Sequence, residues 1–211
     1  RPRPAPAPPS ATPDPVHRDL VDTVRAELAR HADPERAEGQ QRYMKSSMPF
    51  RGIRVPEVRR LVQAEVTAFG APLERDAMQL VARTLWDEAE YREERYAALA
   101  VCRHRAHRDY LDPQSLGLSR HFIETGAWWD LVDETAHLVG EVLERHPEVV
   151  TIMREWAQAP NLWVRRVAII SQLGRAATTD RQLLADVIAP NLADGDFFIR
   201  KAIGWALRQY A

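Results

Sequence analysis

Apolar residues recur at intervals of three and four along most of the chain, a spacing that places them on one face of an α-helix. No stretch of strand length alternates between apolar and polar residues, so the pattern predicts an all-α protein. Helices are expected over residues 15–30, 34–47, 55–69, 76–87, 90–108, 113–124, 127–145, 147–158, 161–176, 180–193 and 196–211. Prolines near the predicted starts and glycines near the predicted ends agree with these boundaries.

A weak internal repeat runs through this helical pattern. The segment LWVRRVAII, which begins at Leu162, resembles FFIRKAIGW, which begins 35 residues later at Phe197. A looser copy surrounds Glu94. Two helices in a period of this length are typical of HEAT-like stacks, which bury one face of each helix and present the other as a curved surface. The sequence therefore favours a stack of helical repeats, with an ordinary helical bundle as the alternative.

The first 15 residues differ from the rest because they contain seven prolines. Proline lacks an amide donor and fixes its own φ angle, so residues 1–14 are predicted to form an extended tail. The PxxP spacing of this tail offers a binding role as an alternative. The folded part is predicted to begin at Pro15, because Asp14 and Pro15 are a good cap and first residue for a helix. Residues 15–211 are predicted to form a single helical-repeat domain.

The charge is balanced overall and uneven along the chain. The protein has 29 Lys and Arg against 30 Asp and Glu, and only Lys45 and Lys201 are lysines. The net charge is +3 over residues 1–85, −7 over residues 86–160 and +3 over residues 161–211. A helical-repeat surface can gather the two basic ends into one groove, so the neutral total does not exclude nucleic acid.

Several classes of protein and site are disfavoured. No apolar run reaches the roughly 18 to 20 residues of a membrane helix. Cys102 is the only cysteine, which predicts a reducing compartment, and we expect a location in the bacterial cytoplasm. Cys102, His104 and His107 lack a second ligand cluster, which disfavours a zinc site. The acidic run over residues 87–94 is predicted to form a solvated face.

The helix predicted over residues 127–145 places unusual residues beside its apolar face. Trp129 lies at the margin of that face and Asp133 just beyond it, one helical turn away. This pair is consistent with a solvated surface and equally with a site. Asp133 and His137 also suggest a hydrolytic dyad, but no Ser or Cys lies in an identifiable nucleophile turn. Arg166 is predicted to point inward and to require an anion, for which Asp133 is a candidate.

The helix predicted over residues 196–211 suggests a nucleic-acid contact. Trp205 is predicted to lie opposite the apolar face, beside Lys201 and Arg208, where cations pair with phosphates and an aromatic ring packs on sugar or base. Packing of Trp205 against a neighbouring repeat is the alternative. The predicted apolar face consists of Ile199, Ile203, Ala206, Leu207 and Tyr210.

Four motifs in these segments resemble the AlkD-like DNA alkylation-repair glycosylases, in order from about residue 20 to the last residue. They are YMKSSMPFRGIRVPEVR from Tyr43, WWDLVD from Trp128, NLWVRRVAI from Asn161 and FIRKAIGWALR from Phe198. The resemblance implies a right-handed stack of HEAT-like repeats with a concave face that binds duplex DNA. The Pro-rich tail departs from the family pattern, and we expect no capping helices after the Trp205 helix.

The resemblance implies an activity and the residues that perform it. The activity is hydrolysis of the N-glycosidic bond of N3-alkyladenine and N7-alkylguanine, without drawing the base into a pocket. The implied catalytic residues are Asp133 as the carboxylate, Trp129 and Trp205 as the active-site tryptophans, and Arg166 as the active-site arginine. We expect DNA contacts at Tyr43, Lys45, Arg59, Arg165, Lys201 and Arg208.

The chemistry of such a site is consistent with this inventory of residues. A purine alkylated at N3 or N7 is already cationic and leaves as a neutral base, so one carboxylate is sufficient. We therefore expect that the site needs no metal or cofactor. We also expect the protein to be a monomer. Two alternatives stay open, a non-catalytic protein that binds distorted or branched DNA and a protein–protein scaffold.

Overall fold

A computed structural model describes residues 15–70 and 73–211. The α-helices are α1 (Pro15–Arg30), α2 (Pro34–Met44), α3 (Val55–Ala68), α4 (Arg75–Asp87), α5 (Arg92–Cys102), α6 (Leu116–Gly126), α7 (Trp129–Arg145), α8 (Val150–Trp156), α9 (Leu162–Ile170), α10 (Arg181–Ile188) and α11 (Phe197–Tyr210). These two ranges contain no strand, which confirms the all-α prediction. Each described helix is too short or too polar to cross a bilayer. The predicted Pro-rich tail, residues 1–14, lies outside the described residues.

The helices form two layers that grow together along the chain. In the front layer, α3, α5, α7, α9 and α11 pack side by side, each against the next. Behind it, α4, α6 and α8 pack against α5, α7 and α9 in turn, α10 packs against α8 and α9, and α1 covers α3 and α4. This alternation is the arrangement of a helical-repeat superhelix, in which each unit adds one helix to each layer.

The internal repeat corresponds to equivalent helices of the front layer. Asn161 precedes α9, and its side-chain oxygen accepts hydrogen bonds from the amides at positions 163 and 164. Asp196 precedes α11 and accepts in the same way from the amides at positions 198 and 199. The two caps are 35 residues apart, as the repeat is, and each satisfies amides that a helix start leaves unpaired.

Several predicted helices are shorter in the structure, such as those predicted over residues 90–108 and 161–176. The segment predicted as a helix over residues 90–108 ends as α5 at Cys102, and a 3₁₀ turn follows over Arg105–Tyr110. His104 has an extended backbone between them, and its ring nitrogen accepts from the amide of Ala106. The side chain therefore caps a new turn, and the apolar spacing of the segment does not reveal this break.

The predicted solvated face over residues 87–94 is wrong for its second half. Glu93 is fully buried, and its two carboxylate oxygens accept from the backbone amides of residues 51–53. Desolvation raises the pKa of Glu93, although these hydrogen bonds oppose the shift. Glu94 is also buried and pairs with Arg25 and Arg51. These carboxylates hold the loop before α3, which a sequence pattern cannot show because their partners are distant in the chain.

A glycine lets α7 and α9 approach each other closely. A Cβ atom on Gly140 would lie 2.8 Å from the carbonyl oxygen of Ser171, well inside van der Waals contact. Because Gly140 lacks that atom, α7 can lie directly against the end of α9. These two helices carry the predicted pair Asp133 and Arg166.

Candidate active site

Asp133 and Arg166 form a bidentate ion pair between α7 and α9. The Nε and Nη2 atoms of Arg166 donate to the two carboxylate oxygens of Asp133, each at 2.8 Å. The arginine side chain is 6 % exposed and the aspartate side chain 17 %. The inward position predicted for Arg166, with Asp133 as its anion, is confirmed. Parallel hydrogen bonds of this kind fix both the direction and the charge of the carboxylate.

A backbone carbonyl completes the surroundings of Arg166. Its Nη1 atom donates to the carbonyl oxygen of Phe198 at 2.7 Å. The ring of Phe198 packs against Trp128 and Trp163, with centroid distances of 5.5 and 4.9 Å. One guanidinium therefore connects α7, α9 and α11. The sequence contains no signal for this contact because every residue has a carbonyl.

Burial decides the electrostatics of Asp133. Desolvation raises the pKa of its carboxyl above that of an ordinary aspartate, and the hydrogen bonds and charge of Arg166 oppose the increase. The charge of Asp130, one turn earlier, also raises this pKa, whereas His137 lowers it. The result is an acid with little water around it, in which charge interactions are stronger than at an open surface.

A second ion pair lies beneath the first turn of α7. The carboxylate of Asp130 accepts from Nε and Nη2 of Arg92 at 3.0 and 2.6 Å, and the hydroxyl of Tyr96 also donates to it. Burial opposes the charge of Arg92, but the contact with Asp130 outweighs it and raises the pKa of Arg92. Sequence reasoning missed this network because Arg92 lies 38 residues from Asp130. It fixes the turn from which Trp129 and Asp133 project.

An aromatic pair stands at the edge of the site. The ring of Tyr43 meets the half-buried ring of Trp129 edge to face, with centroids 6.3 Å apart and planes at 85°. The Tyr43 side chain is 73 % exposed and comes from the end of α2. An exposed aromatic edge beside a partly buried indole is a surface on which a sugar or a base can pack.

The comparisons with known proteins agree on one family. The model of a family described as DNA alkylation repair enzyme matches residues 24–211. The chain belongs to this family. It is similar to a solved structure described as "Predicted DNA alkylation repair enzyme from Enterococcus faecalis", with a TM-score of 0.75 and 27 % identity over 85 % of this chain and 83 % of that chain. None of the curated proteins matches it. The resemblance to the alkylation-repair family is therefore confirmed.

In this member of the alkylation-repair family, the inward face of α11 agrees only in part with the one predicted. Ile199 and Ala206 are buried and Ile203 packs against the core, as predicted. Ala202 is also buried, and Trp205 is half-buried against the core. Leu207 and Tyr210, predicted to face inward, are 47 % and 42 % exposed. Their hydrophobicity was misleading because the side on which α9 lies decides what α11 buries. Trp205 therefore packs partly against the core, and its contact with nucleic acid stays a prediction.

The position of Trp205 nevertheless relates it to the ion pair. Trp205 follows Phe198 by seven residues, which places both on one side of α11, about 10 Å apart along the axis. Phe198 supplies the carbonyl that accepts from Arg166. The catalytic roles of Trp205, Trp129, Asp133 and Arg166 in this repair protein stay predictions.

Three of the predicted DNA contacts are exposed cations. Lys45 ends α2 in a left-handed conformation, two residues after Tyr43. Lys201 and Arg208 line a shallow cleft of about 420 Å³ along α11. Within the described part of the chain, none of these three cations forms an ion pair, so each is available to a phosphate.

Two other predicted DNA contacts already have partners. Arg59 pairs with Glu134, the residue after Asp133, at 2.8 Å. Arg165 donates to two carbonyl oxygens in the turn before α9 and pairs with Asp194 at 2.9 Å. The structure thus gives both arginines a bracing role that the sequence did not reveal. Their contacts with DNA stay predictions, and they would have to compete with these carboxylates.

Proposed function

We propose that this protein is a monofunctional DNA glycosylase that removes N3-alkyladenine and N7-alkylguanine from duplex DNA. Family membership establishes the broader class, DNA alkylation repair. The observation that carries the specific activity is the mostly buried carboxylate of Asp133, fixed by Arg166 beside the ring of Trp129. This arrangement provides a negative charge where a sugar cation would develop.

The substrate class follows from how few catalytic groups the proposed site contains. Breaking the bond between C1′ and N9 of a purine leaves positive charge on the sugar and sends the electron pair to the base. A purine that is already cationic becomes neutral when it accepts this pair, so no acid has to protonate it. A single anion is then the main requirement, which Asp133 meets.

The surroundings of Asp133 explain how it would act. A charge held in a poorly solvated site stabilises a developing cation more strongly than the same charge in water. Arg166 keeps the carboxylate in one orientation, so little reorganisation is needed during the reaction. The faces of Trp129 and Trp205 would favour the positively charged sugar and hold it in place.

The proposed reaction is simple hydrolysis of the N-glycosidic bond while the damaged base stays in the duplex, without base flipping. Strand cleavage would require an amine nucleophile, which the scarcity of lysine disfavours. The two lysines are Lys45 at the end of α2 and Lys201 on α11. We also propose that the protein acts as a monomer. Exposed Tyr43, Lys45, Lys201 and Arg208 would contact the DNA around the lesion.

The test measures release of free base from duplex DNA that contains one N7-methylguanine. We expect release by the wild type, and a rate lower by about 10²- to 10³-fold for Asp133→Asn, as when one electrostatic group of an active site is removed. Asp186→Asn on α10, which loses a carboxylate paired with Arg154, is the matched control and should keep the rate. Thermal unfolding of each variant separates inactivity from misfolding.

Two outcomes would contradict the proposal. If the wild type released no base but bound branched or distorted duplexes in a salt-dependent way, the protein would be a non-catalytic DNA-binding member of the family. If Asp133→Asn released base as fast as the wild type, the role given to this carboxylate would be wrong.

A further inference from the structure

The side chains of Asp133 and His137 line one cavity of about 250 Å³ between α7 and the end of α9. His137 lies one helical turn after Asp133, so the two side chains are neighbours on the surface of α7. The cavity continues past Gly140 toward Arg175 in the turn after α9. Asp133 lines this cavity and Arg166 does not. The cavity therefore offers water a place beside the carboxylate.

The imidazole of His137 has no structural partner among the described residues. Its ring is exposed at the cavity wall, and within residues 15–70 and 73–211 it makes no hydrogen bond or ion pair. Two other histidines differ in this respect, since His121 contacts Asp87 and His146 contacts Glu148. A histidine without a structural partner beside a buried carboxylate has both ring nitrogens available to water.

We propose that His137 is a further catalytic residue, the base that accepts the proton of the attacking water. This inference rests on the proposed glycosylase function and deepens it. The C1′–N9 bond breaks and its electron pair neutralises the cationic purine. The water oxygen then forms a bond to C1′, and its proton passes to the unprotonated nitrogen of His137, which later returns it to solvent.

The hydrogen bonds of Asp133 explain why it and His137 would have different roles. Both of its oxygens accept from Arg166, which favours the carboxylate as a fixed charge rather than as a proton acceptor. The neutral imidazole has no such partner. One residue would thus stabilise the sugar cation, and the other would receive the proton that the product sugar cannot keep.

The surroundings of His137 favour its neutral form, chiefly through desolvation. Partial desolvation lowers the pKa of His137, and the arginines Arg103 and Arg59, which face it from the end of α5 and from α3, lower it further. Glu134 and Asp133 on α7 oppose this shift. Glu141, Glu144 and Arg175 are the remaining charged groups of the cavity wall. The residue is therefore ready to accept a proton near neutral pH.

The test compares single-turnover base release by the wild type, His137→Asn and His137→Ala, with enzyme in excess over an N7-methylguanine duplex and spontaneous release subtracted. We expect both variants to be slower by roughly a hundredfold at pH 7.5, the low end of what a positioned base contributes. His146→Asn, at the end of the same helix and outside the cavity, is the matched control. Binding to the undamaged duplex should stay within about twofold for all variants, because His137 acts on the water.

The pH profile separates proton transfer from a structural effect. The wild-type rate should fall in acid in two steps, one for an imidazole below about pH 6.5 and one for the Asp133 carboxyl. His137→Asn should lose the imidazole step only. A wild-type rate and profile in His137→Asn, or recovery by Asn but not Ala, would overturn the inference and leave the glycosylase proposal intact. Absence of release by the wild type would overturn both.

Discussion

Arg166 holds Asp133 from the neighbouring helix with two hydrogen bonds of 2.8 Å, and it reaches the backbone of α11 with its remaining nitrogen. The pair is thus part of the packing of three front-layer helices and at the same time the candidate centre of the site. Because the carboxylate is mostly buried, losing its cation would leave an uncompensated charge. The chemistry of Asp133 and the positions of α7 and α9 are therefore coupled.

Arg166→Lys should impair this centre although the positive charge is kept. An ammonium cannot form two parallel hydrogen bonds to a carboxylate and a third to Phe198. We expect base release to fall by roughly 10- to 100-fold, in line with the cost of misplacing a catalytic group. Arg166 opposes the raised pKa of Asp133. The variant should therefore lose activity at a higher pH than the wild type as the solution is acidified.

The control is Arg154→Lys, since Arg154 pairs through its Nε atom with Asp186 on the outer helices. It should keep the wild-type rate and pH profile of base release. An unchanged acid limb in Arg166→Lys would show that the bidentate contact does not set the pKa of Asp133.

Trp205→Ala should lower base release more than Trp163→Ala does. Trp163 is buried against Trp128 and Phe198, so its removal should cost about 3–5 kcal/mol of stability. Trp205 is only half-buried, and its proposed role is a contact with the sugar. Rates per folded molecule, measured well below the unfolding temperature, compare the two variants. A larger loss for Trp163→Ala would contradict the role given to Trp205.

Gly140→Ala should destabilise the protein. The new methyl group would meet the carbonyl oxygen of Ser171 at 2.8 Å, and a backbone atom cannot move aside without shifting a helix. Overpacking of this kind costs about 1–3 kcal/mol, which exceeds the helix-propensity gain of about 1 kcal/mol. Urea unfolding measures the difference in free energy.

Gly204→Ala is the matched control for this substitution. Gly204 also lies within a front-layer helix, but a Cβ atom there would meet nothing within 4 Å. This variant should gain up to about 1 kcal/mol from the better helix former. Equal stability changes at the two positions would refute the close approach of α7 and α9 as the reason for Gly140.

Glu93→Gln should weaken the loop that leads into α3. The carboxylate accepts three backbone amides, whereas the amide group of Gln has only one acceptor oxygen and would turn its own donors toward an N–H. We expect a loss of about 1–3 kcal/mol in the free energy of unfolding. Exposed Glu90→Gln should change stability by less than about 0.5 kcal/mol. Similar values for both would mean that Glu93 does not anchor the loop.

The helices and their order could be predicted because their signals are local. The apolar period of 3.6 residues, proline in the first turn and capping side chains such as Asn161 act within a few residues of chain. The pairing of Arg166 with Asp133 could also be anticipated, because a buried guanidinium requires an anion and few carboxylates lie near an apolar face. The break after Cys102 was missed because a histidine side chain, and not a change of period, creates it.

Contacts between helices that are distant in the chain could not be predicted in the same way. Whether Glu93 is solvated, whether Trp205 or Leu207 faces inward and which carbonyl receives Arg166 depend on residues 30 to 40 positions away or more. The sequence by itself determined the all-α repeat and the family to which its motifs belong. Only the tertiary structure decided the pairing of Asp130 with Arg92, the burial of Glu93 and the face of α11. The reason is that helix formation is decided by neighbours along the chain, whereas burial and charge pairing are decided by how helices pack.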